Sequence, residues 1–248
     1  MQKMKPLERI LSLFVTPAQL MKNIKAHPSS LVPFLVCAAI GLASVQLAIK
    51  YSEIQTRRLS YASIERYGVD VFNLIAVDDE DDEAPQQISL ITRAATVGGA
   101  AVSYPVAAFL SAAGLYVLTK IARGKELRFG QYFSMYMHLM IIIAAGDAAA
   151  AALGVALDTS LNAASLAAVF MPLGGNSSTA YNILSSVTVF NVWITILSII
   201  GIKIINDFSR LKSIIVGAFA FAFSVAVSAV SLGMSFIMFD ILDRFRFF

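Results

Sequence analysis

One stretch of the sequence decides the fold: MYMHLMIIIAAGDAAAAALGVAL, residues Met135–Leu157. It is apolar almost throughout and contains a single acidic residue, Asp147. A helix rises about 1.5 Å per residue, so roughly 20 apolar residues are enough to cross the hydrocarbon core of a bilayer. The stretch therefore predicts a membrane-spanning helix.

Outward from this stretch, four more apolar runs have the same character. The chain has 248 residues, of which 58% are hydrophobic and 14% charged, whereas soluble globular proteins are roughly 45–50% apolar and about 25% charged. This composition excludes a soluble domain and a largely disordered chain. The predicted fold class is all-α: a polytopic membrane protein with five transmembrane helices. The other four predicted spans are Leu31–Ile49, Ala94–Ile121, Ile183–Ile204 and Ile214–Leu242.

The first 29 residues are too polar to span, and they predict a pair of amphipathic helices on the membrane surface. Thr16-Pro17-Ala18-Gln19 matches a capping box that begins the second helix. A docking site for a partner protein is the alternative. The chain thus divides into an interfacial segment, 1–29, and a five-span domain, 30–248. The apolar residues predicted to face the membrane are Met4, Leu7, Ile10, Leu11 and Phe14 in the first helix and Leu20, Met21 and Ile24 in the second.

The placement of lysine and arginine predicts the orientation of the chain. Basic residues gather before the first run, between the second and third, and between the fourth and fifth. The exceptions, Arg57, Arg58 and Arg66, lie in a long loop at 50–93, where the bias is less decisive. We therefore expect a cytoplasmic N-terminus and an external C-terminus.

The external loop at 50–93 contains an acidic run, residues 78–83, of six consecutive Asp and Glu side chains. Such a run repels itself and is expected to stay solvated. A contact for a basic partner and a metal site are the alternatives. The run lacks the glycine turn and the spaced ligands of a calcium-binding loop.

Asp147 is the most informative residue inside the predicted membrane region. A central carboxylate costs several kcal/mol unless it is paired, hydrated or protonated, so it is expected to face the protein interior. Gly146, Ala150 and Gly154 form a small-residue seam that allows another helix to approach closely and to bury Asp147 at the contact. We expect a polar network around Asp147. It either holds neighbouring helices together by hydrogen bonds or acts as a proton or solute relay. Its predicted members, besides Asp147, are Tyr104, Ser103, Asn191, Thr188, Thr195, Ser224, Ser228 and Ser231.

No constellation of catalytic residues is evident. The chain has no HExxH, GxSxG, GxxxxGK[ST] or strand-borne GxGxxG motif. Its one cysteine, Cys37, excludes a disulfide framework and a cysteine metal cage, and its two histidines, His27 and His138, lie in separate segments. We expect no enzymatic activity, no cofactor, no bound metal and no nucleic-acid partner.

Three stretches carry a resemblance to a known family. They are Ile10–Pro17 followed by Pro28, then Gly124-Lys125-Glu126 with Phe129-Gly130-Gln131, and then Phe190-Asn191-Val192-Trp193 with Gly201. In this order and spacing the chain resembles bacterial members of the Yip family, five-span relatives of the Ypt/Rab-interacting membrane proteins. Thr188 stands where the family often has an acidic residue, and Asp147 belongs to no family motif. The family-motif residues are Pro17, Phe129, Phe190, Trp193 and Gly201.

The resemblance implies a non-catalytic protein. Eukaryotic relatives are associated with vesicle trafficking and membrane shaping, and some bacterial ones look like accessory partners of export machinery. We expect an interaction, assembly or accessory subunit in membrane organisation or export, with the lipid bilayer and a membrane protein or a second copy as partners. The short N-terminus favours the cytoplasmic membrane of a prokaryote. The alternative is a small transporter or channel component with a proton- or ion-linked Asp147.

Overall fold

The computed structural model describes residues 3–45, 47, 49–50, 84–124, 128–157, 164–170 and 179–226, and only the helical backbone at 84–98, 100–101 and 179–182. The described chain is built from helices. They are α1 (Pro6–Val15), α2 (Pro17–Ala26), α3 (Leu31–Val45), α4 (Ala84–Ile121), α5 (Phe129–Ala156), α6 (Leu166–Phe170), α7 (Thr179–Ser186), α8 (Val189–Asn206) and α9 (210–226).

Three helices of the described chain are long and apolar enough to cross a membrane: Val102–Ile121 within α4, Phe129–Ala156 and Val189–Asn206. Helix α3 is apolar but shorter than a span in its described part. The described part of α9 ends at residue 226, inside the predicted fifth span. The all-helical, membrane-spanning class is therefore confirmed, and the count of five spans stays a prediction.

The fourth spanning helix begins later than its apolar run predicts. Thr188 is extended, with φ −105° and ψ 157°, and its side chain accepts a hydrogen bond from the Asn191 N–H, so it caps the start of α8. The start of α6 also pairs with the residues that follow α7. Leu166 N–H donates to the Val187 carbonyl, and Val189 N–H donates to the Ala164 carbonyl. These bonds break the predicted continuous helix, and Ile183 lies in α7 instead.

Helix α2 is part of the bundle core. Its apolar residues Leu20, Met21 and Ile24 are fully buried, and the helix packs against α5 and α8. The sequence had instead predicted that these three residues face the membrane surface. Pro17 is the first residue of α2, as predicted, but the Thr16 side chain makes no capping hydrogen bond.

Two glycines bring the helices together at close range. A Cβ atom added at Gly146 of α5 would lie 2.6 Å from ring atoms of Phe190 on α8. One added at Gly201 of α8 would collide with the sulfur of Met135 and lie 3.2 Å from that of Met21. Small residues at these two positions therefore set the distances between α5, α8 and α2, as is usual for helices packed in membranes.

We predict that Gly146→Ala lowers the thermal stability of the detergent-solubilised protein. The added methyl group must displace the Phe190 ring, and overpacking of this kind costs about 1–3 kcal/mol. The matched control is Gly114→Ala, since a Cβ at Gly114 meets nothing within 4 Å. Equal melting temperatures for the two variants would show that the α5–α8 contact is looser than the structure indicates.

Candidate functional site

Asp147 forms a polar contact between two spanning helices. The Tyr104 hydroxyl of α4 donates to Asp147 Oδ2 of α5 over 3.3 Å. Tyr104 precedes Pro105, which lies inside α4 and cannot donate a backbone hydrogen bond there. Tyr104 and Asp147 are thus the pair that the structure brings together from the network predicted around the carboxylate.

Asp147 is exposed although it lies on the buried side of α5. Residues three, four or seven positions away share its helical face. On that face Asp147 stands out, since Met140, Ala144, Ala150, Ala151 and Gly154 are buried and Ile143 is half-buried. The carboxylate is therefore exposed beside Tyr104, where the sequence pattern had suggested burial at a helix contact.

The small residues beside Asp147 are buried, and one of them contacts α8. Gly146, Ala150 and Gly154 are buried, and the Phe190 ring covers Gly146. Gly146 therefore brings α8 close to α5, while the Asp147 carboxylate bonds to Tyr104 of α4.

The polar residues at the start of α8 are engaged with each other. Asn191 Nδ2 donates to the Ser186 carbonyl over 3.1 Å, and the Thr195 hydroxyl donates to the Asn191 carbonyl over 2.8 Å. Together with the Thr188 cap, these bonds hold the break between α7 and α8. Ser103 and Ser224 are exposed, and Ser228 and Ser231 lie outside the described residues.

A second polar cluster lies at the opposite end of α5 and was missed by the sequence reasoning. Arg9 of α1 is only 4% exposed, and its Nη2 donates to Asn23 Oδ1 over 2.6 Å and to the His27 carbonyl over 2.8 Å. Burial lowers the pKa of the Arg9 guanidinium; an arginine nevertheless keeps its charge. The bonds tie α1 to the C-terminal end of α2.

The same end of α2 is held by α5 and α8. Gln131 Nε2 donates to the Lys25 carbonyl over 2.7 Å. Lys25 Nζ in turn donates to the Ile204 carbonyl over 2.9 Å and to the Asp207 carboxylate over 2.8 Å. Asp207 has a positive φ of 54° at the C-cap of α8. These contacts place the N-terminal segment, the start of α5 and the end of α8 at one face of the bundle.

A buried chain of three side chains completes this cluster. The Thr119 hydroxyl of α4 donates to the Tyr132 hydroxyl of α5 over 2.9 Å, and Tyr132 donates to Asn206 Oδ1 of α8 over 2.5 Å. The Ser134 hydroxyl also donates to the Ser29 carbonyl over 2.7 Å. The sequence signal for the cluster was the polar residues that border the apolar runs, but hydropathy alone assigns such residues to water.

The residues of the three sequence motifs take structural positions in this bundle. Phe129 begins α5 and contacts the rings of Phe109, Tyr116 and Phe133. Gly201 lies against α2 and α5, and Phe190 covers Gly146. Trp193 is 41% exposed. Among the described residues, no group of three or more His, Cys, Asp or Glu side chains could hold a metal ion.

Spanning helices held together by polar clusters define the class of this chain: it is a multi-pass membrane protein. Residues 11–232 match the model of the Yip1 domain family. The chain belongs to that family, which confirms the resemblance carried by its motifs. No curated protein and no solved structure matches it.

We predict that Tyr132→Phe destabilises the bundle by about 1–3 kcal/mol, because Asn206 Oδ1 loses the hydroxyl that donates to it in a buried site. Thermal unfolding in detergent measures the effect. The matched control is Tyr116→Phe, whose ring lies 5.9 Å from that of Tyr132 but whose hydroxyl has no hydrogen bond within the described part of the chain. A melting temperature lowered equally in both variants would contradict a specific role for the Tyr132 hydroxyl.

Proposed function

We propose that this Yip1-family protein is a non-catalytic assembly or accessory subunit that binds another spanning helix at the exposed carboxylate of Asp147. The observation that carries the proposal is a carboxylate that is exposed inside a membrane-spanning helix. Asp147 lies about 7 Å from the midpoint of α5 along the helix axis. At that depth a carboxylate without a partner is costly, and such residues usually mark a functional contact.

The described part of the chain does not neutralise this carboxylate. Its described hydrogen bond is the 3.3 Å contact from the Tyr104 hydroxyl, which carries no charge. Among the described residues, the lysines of the spanning helices lie near the ends, as Lys120 does in α4 and Lys203 in α8. A partner with a lysine, an arginine or a strong hydrogen-bond donor at mid-membrane depth would complement Asp147.

We further infer that the N-terminus is cytoplasmic, in the cytoplasmic membrane of a prokaryote. Support comes from the cluster that joins α2 to the start of α5 and the end of α8, because it gathers several basic segments at one face of the bundle. Lysine and arginine are enriched on the cytoplasmic side of membrane proteins. The described exposed basic residues at this face are Lys3, Lys5, Lys22, Lys120, Arg123, Arg128, Lys203 and Arg210.

The same observation favours a second candidate, a small transporter or channel component. An exposed carboxylate inside the membrane can take up a proton or an ion when water reaches it. In that case water and not a partner helix contacts Asp147, and its carboxylate titrates during transport.

We predict that Asp147→Asn abolishes a crosslink to the partner. A photoreactive amino acid at Ala107, an exposed position one turn from Tyr104 in α4, should capture the partner helix in native membranes. The neutral amide cannot form an ion pair, and a loss of about 1.4 kcal/mol already lowers occupancy tenfold when binding is weak. We expect at least a tenfold lower yield of the crosslinked species, measured by immunoblot and mass spectrometry.

The controls separate the competing outcomes. Lys120→Gln changes an exposed polar side chain at the far end of α4 and should leave the crosslink unchanged, while membrane abundance and melting temperature show whether Asp147→Asn still folds. A product that contains only this chain would identify a second copy as the partner. An undiminished crosslink in folded Asp147→Asn would overturn the assembly proposal, and proton uptake that is lost in that variant would support the transporter.

A further inference from the structure

Helix α1 has its polar and apolar faces reversed with respect to a water-exposed helix. Its outward stripe consists of Leu7, Leu11 and Phe14, which are 69%, 59% and 53% exposed, and this stripe continues at Val15. These residues follow the i, i+4, i+7, i+8 spacing of a single helical face. The inward face carries the buried Arg9, Ser12 and Leu13.

The reversed arrangement is fixed by hydrogen bonds and not by the apolar stripe itself. Arg9 binds the Asn23 side chain and the His27 carbonyl, so α1 cannot turn its stripe inward without breaking both bonds. Leu13, on the side of α1 that faces the bundle, is also fully buried. A helix locked in this way needs an apolar environment on its outer side.

The next helix provides an internal comparison. Helix α2 has the same length and lies at the same face of the bundle, yet its exposed positions are Ala18, Gln19, Lys22 and Ala26. The outer side of α2 is thus suited to water, and that of α1 is not. Two neighbouring helices with different outer faces are expected where the surface of a membrane meets the aqueous phase.

The depth of α1 agrees with this boundary. It contacts α5, and Arg9 binds the carbonyl of His27, two residues before Ser29, whose carbonyl accepts a hydrogen bond from Ser134 of α5. A helix of 28 residues is about 42 Å long and exceeds the hydrocarbon core of about 30 Å by roughly 6 Å at each end when centred. Ser134, five residues after the first residue of α5, then lies close to the hydrocarbon boundary, where interfacial helices lie.

We propose that α1, and not the pair of N-terminal helices, is the interfacial element of this protein, with the stripe Leu7–Leu11–Phe14–Val15 immersed in the lipid acyl chains. Helix α2 packs against α5 and α8 and faces water on its outer side. This inference goes beyond the proposed function, since it requires neither the partner nor Asp147. The ligand is the lipid of the membrane face at which α5 begins.

Lipid-borne quenching of a site-specific label tests the proposal on the full chain. The protein with Cys37→Ala is purified and placed in phosphatidylcholine nanodiscs that contain a lipid with a quencher near the top of its acyl chains. A fluorophore is attached in turn at Leu11→Cys on α1 and at Lys22→Cys on the exposed side of α2. Val192→Cys, on the exposed side of the spanning helix α8, gives the reference for full lipid contact.

We expect the label at Leu11→Cys to be quenched by lipid several-fold more strongly than that at Lys22→Cys, and to resist quenching by aqueous iodide. Leu7→Cys, on the same stripe, should behave like Leu11→Cys, so a local effect of one label is recognised. If both α1 labels are quenched by iodide and no more by lipid than Lys22→Cys, the proposal is overturned. Protection of the stripe in native membranes but not in nanodiscs would also overturn it, because a protein would then cover the stripe.

Discussion

The hydrocarbon interior of a bilayer offers no water to polar groups, so each one must find a partner inside the protein or lie at a boundary. This constraint accounts for the distribution of polar contacts in the described bundle. The bonds of Arg9, Gln131, Lys25 and Tyr132 gather at one end of the helices, where chain reversals expose backbone carbonyls that need donors. Among the described residues, Asp147 places an exposed carboxylate deep in the spanning helix α5. The requirement that polar groups in a bilayer have partners therefore points to Asp147 more strongly than the amino-acid composition of the chain does.

Much of the fold follows from length and hydropathy. The run Met135–Leu157 predicts a spanning helix, and α5 covers it up to Ala156, because a helix satisfies its backbone N–H and C=O groups within one segment, as lipid requires. The start of α8 could not be read in this way. An apolar run continues through Val187 and Thr188, but the Thr188 side chain and the backbone of Ala164 and Leu166 offer competing hydrogen bonds that end one helix and begin another. Hydropathy measures the preference for lipid and carries no information on such local competition.

The candidate site was predictable only in part, for a related reason. Asp147 stands out in the sequence, and Tyr104 was among the partners expected for it. Asn191 and Thr195 were named with it because they form a polar stripe on one helix. A stripe shows which side chains share a face but not whether they bond across helices or within their own turn, and at the start of α8 the local bonds are formed. The cluster around Arg9 was missed because half of its acceptors are backbone carbonyls, which no residue type reveals.

The two N-terminal helices show how far an amphipathic pattern can be interpreted. Both have an apolar face, and the apolar face alone does not tell whether lipid or protein covers it. The residues on the opposite face of each helix determine whether lipid or protein covers its apolar face. In α2 the opposite side carries Lys22 and Gln19, so water is its natural neighbour and the apolar face turns to the core. In α1 the opposite side carries Arg9, whose guanidinium is bound to α2. The arginine turns that side inward, and the apolar stripe is left for the membrane.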